Sequence, residues 1–267
     1  MCETCGCEDT GNVKIYEPGQ NEEEHHHHYH NPAVPHHHHQ SEYQHREILV
    51  EKDVLSKNNL LAERNRGFFE ALDIFAINMV SSPGSGKTSV IERTISEIGD
   101  QLEFCVIEGD QQTSNDAKRI QKAGAKAVQI NTGNGCHLDA NMVNKAVKQL
   151  EPEINSILII ENVGNLVCPS MFDLGENKRV VIFSVTEGDD KPEKYPTIFH
   201  TSDVCIINKT DLLPYVDFDI EKAKNLAKQL NPKMIFFETS AKTREGFENW
   251  FNWLKSNSEK PDSNSTD

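Results

Sequence analysis

Residues 82–88 read SPGSGKT; they follow an apolar run at 74–80 and precede a run with helical periodicity. Small residues let the chain turn so tightly that backbone N–H groups point inward, and the helix that begins there presents its positive end to an anion. Lys87 is predicted to reach the β- and γ-phosphates of a nucleotide, and the Thr88 hydroxyl to bind Mg²⁺. The full pattern has Gly where this chain has Ser81, but Gly84 and Gly86 keep the tightest part of the turn. The stretch predicts a phosphate-binding loop, formed by Gly84, Ser85, Gly86, Lys87, Thr88 and Ser89.

The composition suits one large domain with tails. The chain has 267 residues, 36 % of them hydrophobic, and a net charge of −15, so part of its length is expected to lie outside a packed core. The acidic balance argues against nucleic acid or an anionic membrane surface as a partner, since both require a basic patch. There is no basic-then-apolar leader and no apolar run of membrane-spanning length, so a cytoplasmic protein with reduced thiols is predicted.

Three regions differ in composition. Residues 1–44 hold a Cys cluster and His tracts with few apolar residues, and we expect a disordered metal-binding region there. Residues 45–256 are predicted to form a nucleotide-binding domain that begins with helices, divided near Asn58 or Asn59. Residues 257–267 are rich in Ser, Asn and Asp, and a disordered tail is predicted.

Strands and helices alternate through the central region. Near-continuous apolar strands are typical of a parallel sheet that is covered on both faces. The pattern predicts a three-layer α/β fold of the P-loop NTPase type, with a mostly parallel central sheet. Strands are predicted at 75–80, 104–108, 127–130, 157–161, 180–185, 204–208 and 234–238, and helices at 87–98, 115–123, 139–150, 220–229 and 245–255.

Two further loops indicate that the base is guanine. Residues 208–211 read NKTD after a strand, and the Asp211 carboxylate can accept hydrogen bonds from N1–H and the exocyclic amine of guanine. Adenine offers no such donor pair and would leave a desolvated carboxylate unpaired. Residues 240–242 read SAK after the next strand and match a loop that packs beside the base. The predicted base-binding residues are Asn208, Lys209, Asp211, Ser240, Ala241 and Lys242.

Acidic loops are expected to complete the Mg²⁺ and γ-phosphate side. Glu161 and Asp110 each end a strand, and hard cations take oxygen ligands; Gly164 is predicted to donate its N–H to the γ-phosphate. Lys87, Asp110 and Glu161 are the predicted catalytic residues, with Asp110 orienting the attacking water. Glu108 is interpreted as a strand-end charge that meets solvent. Nothing in the sequence distinguishes an arginine finger among Arg119, Arg179 and Arg244.

A second kind of site is predicted close to the first. Cys136 and His137 lie together at the start of a helix, and Cys168 follows Gly164 on one short segment. Two thiolates and an imidazole suit Zn²⁺ or Ni²⁺ and leave a coordination position open. Asp139 is a candidate hydrogen-bond acceptor for His137. Ordering of the segment by GTP would move Cys168, so we hypothesise that metal affinity depends on the nucleotide. Cys105 and Cys205 lie in apolar strands and are predicted to be core residues.

The N-terminal region offers more donors. Cys2, Cys5 and Cys7 place three thiolates near an α-amine that is exposed if Met1 is removed. Four such donors suit Ni²⁺ or Cu²⁺ in a planar geometry and Zn²⁺ in a tetrahedral one. Nine His residues lie between 25 and 39 in interrupted runs, which favours low-affinity storage of Ni²⁺ or Zn²⁺ over a spacer.

Taken together, these motifs resemble those of the hydrogenase nickel incorporation GTPases, the HypB family. The resemblance rests on the Cys-rich start, the His-rich stretch, the phosphate loop, the Cys136-His137 pair and ENVGNLVCP at residues 161–169. It implies a SIMIBI-class P-loop GTPase that binds GTP and forms a homodimer. It also implies delivery of Ni²⁺ to the large subunit of [NiFe]-hydrogenase, with a HypA-type zinc and nickel accessory protein and a SlyD-type isomerase as partners. The family's metal residues match Cys136, His137 and Cys168.

Three alternatives remain at this point. A urease accessory GTPase of the UreG type has the same fold class, but its metal loop typically reads Cys-Pro-His, whereas this chain has Cys-His and a distant Cys-Pro. A nickel-storage protein with a vestigial GTPase would not need Lys87, Thr88 and Asp211 intact. A translation or targeting GTPase has no use for the Cys and His residues, and the acidic balance disfavours RNA.

Overall fold

A central sheet with helices on both faces makes up the described part of the chain. The computed structural model describes residues 14–16, 40–111 and 115–258, with the backbone alone at 14–16 and 40–51. The strands are β1 Lys14–Tyr16, β2 Phe75–Ser81, β3 Phe104–Asp110, β4 Lys126–Asn131, β5 Ile157–Glu161, β6 Lys178–Ser184, β7 Val204–Asn208 and β8 Ile235–Glu238. The helices are α1 Gln40–Ala71, α2 Lys87–Ile98, α3 Asn115–Ala123, α4 Ala140–Leu150, α5 Lys191–Lys194, α6 Pro196–Thr201, α7 Ile220–Leu230 and α8 Phe247–Ser258.

The sheet confirms the predicted fold class. Its strand order is β1-β4-β3-β5-β2-β6-β7-β8. Seven strands, β2 to β8, run parallel, and β1 pairs antiparallel with β4 at the edge. Because β2 lies near the middle, the loop that follows it reaches the centre of the sheet's carboxyl edge, where ligands bind in open α/β sheets.

Each face of the sheet is covered by its own set of helices. On one face, Val90 and Ile91 of α2, Ile120 of α3 and Trp250 of α8 pack on β2, β3 and β5. On the other, α1 and α4 cover β3, β4 and β5, while α6 and α7 cover β6 and β7. Burial on both faces explains why the strands read as unbroken apolar runs.

The N-terminal helix differs from the prediction. It is continuous from Gln40 to Ala71, so it begins earlier than residue 45 and is not divided at Asn58 or Asn59. Asn58 is 5 % exposed; its Oδ1 accepts from the Ala140 N–H at 2.9 Å, and its Nδ2 donates to the Asp173 carbonyl at 2.7 Å. The residue that reads locally as a helix breaker is therefore held in the helix by tertiary hydrogen bonds.

Several expectations fall outside the described residues. Cys2, Cys5, Cys7, the His tracts and residues 259–267 are among them. Within the region expected to be disordered, the structure describes β1 and the first residues of α1. Among the described helices, none combines the length and the apolar character needed to cross a membrane.

Candidate functional site

The phosphate loop leaves β2 and enters α2 through glycines in the left-handed region. Gly84 has φ +78° and Gly86 has φ +92°, conformations that cost a residue with a Cβ atom. A Cβ atom on Gly86 would also lie 2.5 Å from Nδ2 of Asn208. Glycine at 86 therefore permits both the turn and the close approach of residues 208–211, the predicted guanine-binding loop (the guanine loop).

Asn208, in the guanine loop, forms hydrogen bonds to both the phosphate loop and the loop around Ser240. It is 1 % exposed, and its Nδ2 donates to the Ser85 carbonyl at 2.9 Å. Its Oδ1 accepts from the Ala241 N–H at 3.3 Å and from the Thr239 hydroxyl at 3.4 Å. Lys209 adds a second tie, since its Nζ donates to the Gly84 carbonyl at 2.6 Å. The guanine loop thus supports the phosphate loop directly.

Five of the six predicted base-binding residues, all except Ser240, line a cleft of about 660 Å³. Asp211 faces it and accepts through Oδ1 from the Ser240 hydroxyl at 2.7 Å, which orients the carboxylate. Gly86, Ser89 and Lys209 line both this cleft and a second cavity of about 560 Å³, so the two cavities adjoin. The predicted base and phosphate residues are therefore brought together in one continuous groove, whose remaining base-side lining includes Asn208, Lys209, Ala241 and Lys242.

Glu161 contacts both Lys87 and Thr88 of the phosphate loop. Its side chain is 1 % exposed, and its Oε1 lies 3.0 Å from Lys87 Nζ. The same oxygen accepts from the Thr88 hydroxyl at 2.7 Å. Burial alone would lower the pKa of Lys87, but the carboxylates of Glu161 and Glu108 raise it, so the lysine stays charged.

Glu108 corrects a prediction, because it does not meet solvent. It is 2 % exposed and pairs in register with Glu161 across β3 and β5. Burial and the neighbouring Glu161 raise the pKa of Glu108 well above its usual range. Within the described residues, Oε2 of Glu108 and Oε2 of Glu161 have no hydrogen-bond partner outside this pair of carboxyl groups. Both residues line the same cavity as Thr88. An all-oxygen set of this kind fits Mg²⁺.

Other residues around the phosphate cavity extend the predicted set. Asp110, at the end of β3, lines the cavity together with Gly164, and their roles toward ion, water and phosphate stay predictions. A Cβ atom on Gly164 would lie 3.2 Å from Pro83, so this loop packs directly on the phosphate loop. Arg119 also lines the cavity; it lies 2.6 Å from Glu92 and 3.0 Å from Asp116. No local sequence pattern distinguishes Arg119, because its position depends on how α3 packs.

Glu187 is a site residue that sequence reasoning missed. Its Oε1 accepts from the Ser85 hydroxyl at 2.7 Å and from the Ser184 N–H at 2.8 Å. Lys191 lies 3.0 Å from its other oxygen. Burial opposes ionisation, but these hydrogen bonds lower the pKa of Glu187. The Glu187 carboxylate therefore holds the phosphate loop in place through its bond with Ser85, a contact that no local pattern indicates.

The predicted metal-binding side chains lie together. The ligand atoms of Cys136, His137 and Cys168 are all within 4.8 Å of one another. The two Sγ atoms are 2.7 Å apart, and His137 Nδ1 lies 3.7 Å from Cys136 Sγ. The His137 ring stacks on Phe172 at 3.9 Å, and burial lowers the pKa of His137, which favours the neutral imidazole that a metal requires.

Neighbouring residues fix the two loops that hold this cluster. Asp139, a candidate acceptor for His137, instead caps α4 and accepts from the Met142 N–H at 2.7 Å. Arg179 is 8 % exposed and donates to the carbonyls of Ser170 at 3.2 Å and Phe172 at 2.8 Å. These carbonyls lie just after Cys168, so a buried guanidinium anchors the segment.

The remaining described cysteines are core residues, as predicted. Cys105 in β3 and Cys205 in β7 are both fully buried. Burial raises the pKa of the Cys105 thiol to about 11 and also raises that of Cys205. Neither thiol is suited to bind a metal at neutral pH.

Comparison with known proteins agrees with this arrangement. Residues 75–238 match the family model described as "CobW/HypB/UreG, nucleotide-binding domain". The chain is 57 % identical over 212 residues to "Hydrogenase maturation factor HypB" of Rhizobium leguminosarum bv. viciae, covering 79 % of this chain and 71 % of that protein. Among solved structures, HypB from Archaeoglobus fulgidus is 44 % identical, with a TM-score of 0.71 over 76 % of this chain and 100 % of that one. HypB from Helicobacter pylori, solved in complex with nickel, is 40 % identical, with a TM-score of 0.71 over 76 % of this chain and 95 % of that one. The chain therefore belongs to the CobW/HypB/UreG family and, within it, to the HypB hydrogenase maturation factors.

Proposed function

We propose that this protein is a GTP-hydrolysing nickel metallochaperone that delivers Ni²⁺ to the large subunit of [NiFe]-hydrogenase during maturation. The observation that supports this most is the Cys136, His137 and Cys168 cluster, whose atoms lie within 4.8 Å. It is formed by loops that adjoin a nucleotide site. Two findings support nickel as the cargo and a hydrogenase as the client: similar proteins are named hydrogenase maturation factors, and one of them was solved in complex with nickel.

The proposed enzymatic step is hydrolysis of GTP to GDP and phosphate. Asp211 selects guanine, while Lys87 and Gly164 interact with the terminal phosphates. Thr88 and Glu161 would hold Mg²⁺, and Glu108 and Asp110, which line the same cavity, are candidates to bind the ion or its waters. When bound, the ion would neutralise charge on the phosphates. Asp110, which lines the phosphate cavity, orients the attacking water in this scheme.

The metal is cargo in this proposal. Two thiolates and a neutral imidazole bind Ni²⁺ or Zn²⁺ and leave a position open for transfer. Binding of GTP orders the segment from Gly164 to Cys168, so the nucleotide changes metal affinity and homodimer formation. Cys2, Cys5 and Cys7 form a separate Ni²⁺ site, and the His tracts store metal. The proposed partners are a HypA-type accessory protein, the hydrogenase large subunit and a SlyD-type isomerase, all in the cytoplasm.

The test is metal binding in two nucleotide states. Ni²⁺ and Zn²⁺ affinities are measured for wild type, Cys168→Ala and a Cys2/Cys5/Cys7 triple Ala variant, each with GDP and with a non-hydrolysable GTP analogue. We expect Cys168→Ala to abolish the nucleotide-dependent site and the triple variant to lose only the other one. Equal affinities in both states for wild type would contradict the coupling.

A turnover assay separates this proposal from its alternatives. Steady GTP hydrolysis that Lys87→Ala abolishes would exclude a storage protein with a vestigial GTPase. The UreG-type alternative is disfavoured by the ligands themselves, because Cys136-His137 and Cys168 come from two loops rather than from one Cys-Pro-His motif. Nickel transfer to a hydrogenase large subunit, compared with transfer to a urease apoprotein, distinguishes the two clients.

A further inference from the structure

One buried amide lies between the phosphate side and the metal side of the site. Asn162 follows Glu161 at the end of β5 and is 0 % exposed. Its Oδ1 accepts from two backbone groups, the Leu138 N–H at 3.1 Å and the Val163 N–H at 3.0 Å. Its Nδ2 donates to Asn78 Oδ1 at 3.3 Å. A single side-chain oxygen therefore joins two loops that are distant in sequence.

The orientation of this amide is fixed by its partners. Two backbone N–H groups can be satisfied only by the oxygen of the Asn162 amide. Asn78 in turn donates to Glu176 Oε1 at 3.0 Å, which leaves the Asn78 oxygen facing Asn162. Glu176 also lies 2.8 Å from Arg179, the residue that anchors the carbonyls after Cys168. The buried groups form a continuous hydrogen-bonded chain.

The two backbone N–H groups that Asn162 accepts from belong to Leu138 and Val163, and each is next to a predicted site residue. Leu138 directly follows His137, so its N–H belongs to the loop that presents Cys136 and His137. Val163 directly precedes Gly164, which packs on Pro83 of the phosphate loop. A displacement of Gly164 must move the Val163 N–H, and the shared oxygen cannot follow it without changing its bond to Leu138.

We infer that Asn162 is the positioning residue through which the γ-phosphate loop sets the geometry of the Cys136, His137 and Cys168 cluster. This inference rests on the proposed function. When Gly164 moves towards a γ-phosphate, Asn162 transmits the shift to Leu138 and changes how His137 and Cys136 face Cys168. Couplings between two sites are typically about 5- to 150-fold in affinity, and loss of the shared acceptor is expected to remove most of the effect.

The experiment compares Ni²⁺ affinity with GDP and with a non-hydrolysable GTP analogue in full-length protein. Asn162→Ala removes the acceptor, and Asn162→Asp keeps an oxygen for both N–H groups. Asn58→Ala is the matched control, because Asn58 bonds to the Ala140 N–H at 2.9 Å beside the same metal loop but lies on α1, which does not line the phosphate cavity. The affinity ratio between the two nucleotide states is the readout.

We expect the ratio to fall to within about twofold of one in Asn162→Ala. It should be partly restored in Asn162→Asp and should match wild type in Asn58→Ala. If Asn162→Ala does not fold, Asn162→Ser takes its place, because a hydroxyl one bond shorter cannot bridge both N–H groups.

Two negative results would differ in meaning. A wild-type ratio of one would overturn the nucleotide coupling of the proposed function and this inference with it. A wild-type ratio well above one that Asn162→Ala leaves unchanged would overturn the role of Asn162 alone. A ratio that Asn58→Ala lowers as much as Asn162→Ala does would also overturn it, since any loosening of the metal loop would then suffice.

Discussion

Asn208→Ala tests whether the guanine loop supports the phosphate loop. The substitution removes the donor that bonds to the Ser85 carbonyl at 2.9 Å and leaves that buried acceptor unpaired. An unsatisfied buried group costs about 1–3 kcal/mol. The two contacts of Asn208 Oδ1 are 3.3 and 3.4 Å long, so they are weaker and add less. Since Ser85 lies in the predicted phosphate-binding loop, the substitution is expected to weaken nucleotide binding.

The expected result is a loss of GDP and GTP affinity of about 5- to 150-fold, because a cost of about 1–3 kcal/mol is converted at about 1.4 kcal/mol for each tenfold change in affinity. Titration with a fluorescent guanine nucleotide measures it, and urea unfolding measures stability in parallel. Asn231→Ala is the matched control, because Asn231 Nδ2 donates to the Ser202 carbonyl at 2.8 Å, outside the residues that line the nucleotide groove. It should lower stability and leave nucleotide affinity unchanged. Affinity within twofold of wild type in Asn208→Ala would refute the reasoning.

Three further outcomes are expected. Asp211→Asn should weaken guanine nucleotide binding by about 100-fold, because it removes a charged acceptor worth about 1.5–3 kcal/mol per hydrogen bond. Competition with a xanthine nucleotide should show that the variant prefers xanthine to guanine. Unchanged GDP affinity would contradict the assignment of Asp211. Trp250→Phe should lower the free energy of unfolding by about 1–2 kcal/mol, since the buried indole N–H donates to the Thr94 hydroxyl at 3.0 Å; urea denaturation checks this, and an unchanged midpoint would argue against the bond. Cys105 and Cys205 should resist iodoacetamide at pH 8 in the folded protein, because burial raises both thiol pKa values, that of Cys105 to about 11; peptide mass spectrometry that found them labelled faster than the protein unfolds would disagree.

Much of the sheet could be predicted because burial on both faces produces unbroken apolar runs. The predicted bounds of β5, β7, α2 and α3 coincide with those in the structure. The strand β1 was not predicted, because three residues at a sheet edge carry no periodic signal. The short helices α5 and α6 were also missed, since pieces of 4 and 6 residues are set by their surroundings rather than by their own pattern.

The candidate site divides in the same way. Lys87, Asp211 and the Cys136-His137 pair are recognisable because their chemistry depends on local spacing. Glu108 was misread as solvent-exposed because its position beside Glu161 and Lys87 depends on the pairing of β3 with β5. The places of Glu187 and Arg179 follow from contacts across the fold, and no neighbouring residue in the sequence indicates them. Local motifs thus reveal the groups that meet a ligand, while the groups that hold those motifs in place depend on tertiary packing.

The contacts of Glu161 bear on which ligands the phosphate cavity can accept. One carboxylate oxygen engages both Lys87 and Thr88, the two groups that would face phosphate and ion. A phosphate that binds by itself would draw Lys87 away from Glu161 and leave the buried Glu161 carboxylate beside Glu108 without its cationic partner. A divalent cation arriving with it supplies the missing positive charge, so the exchange of partners is favourable only for the pair. A cavity with this arrangement is expected to accept nucleotide and cation as one complex in preference to free phosphate.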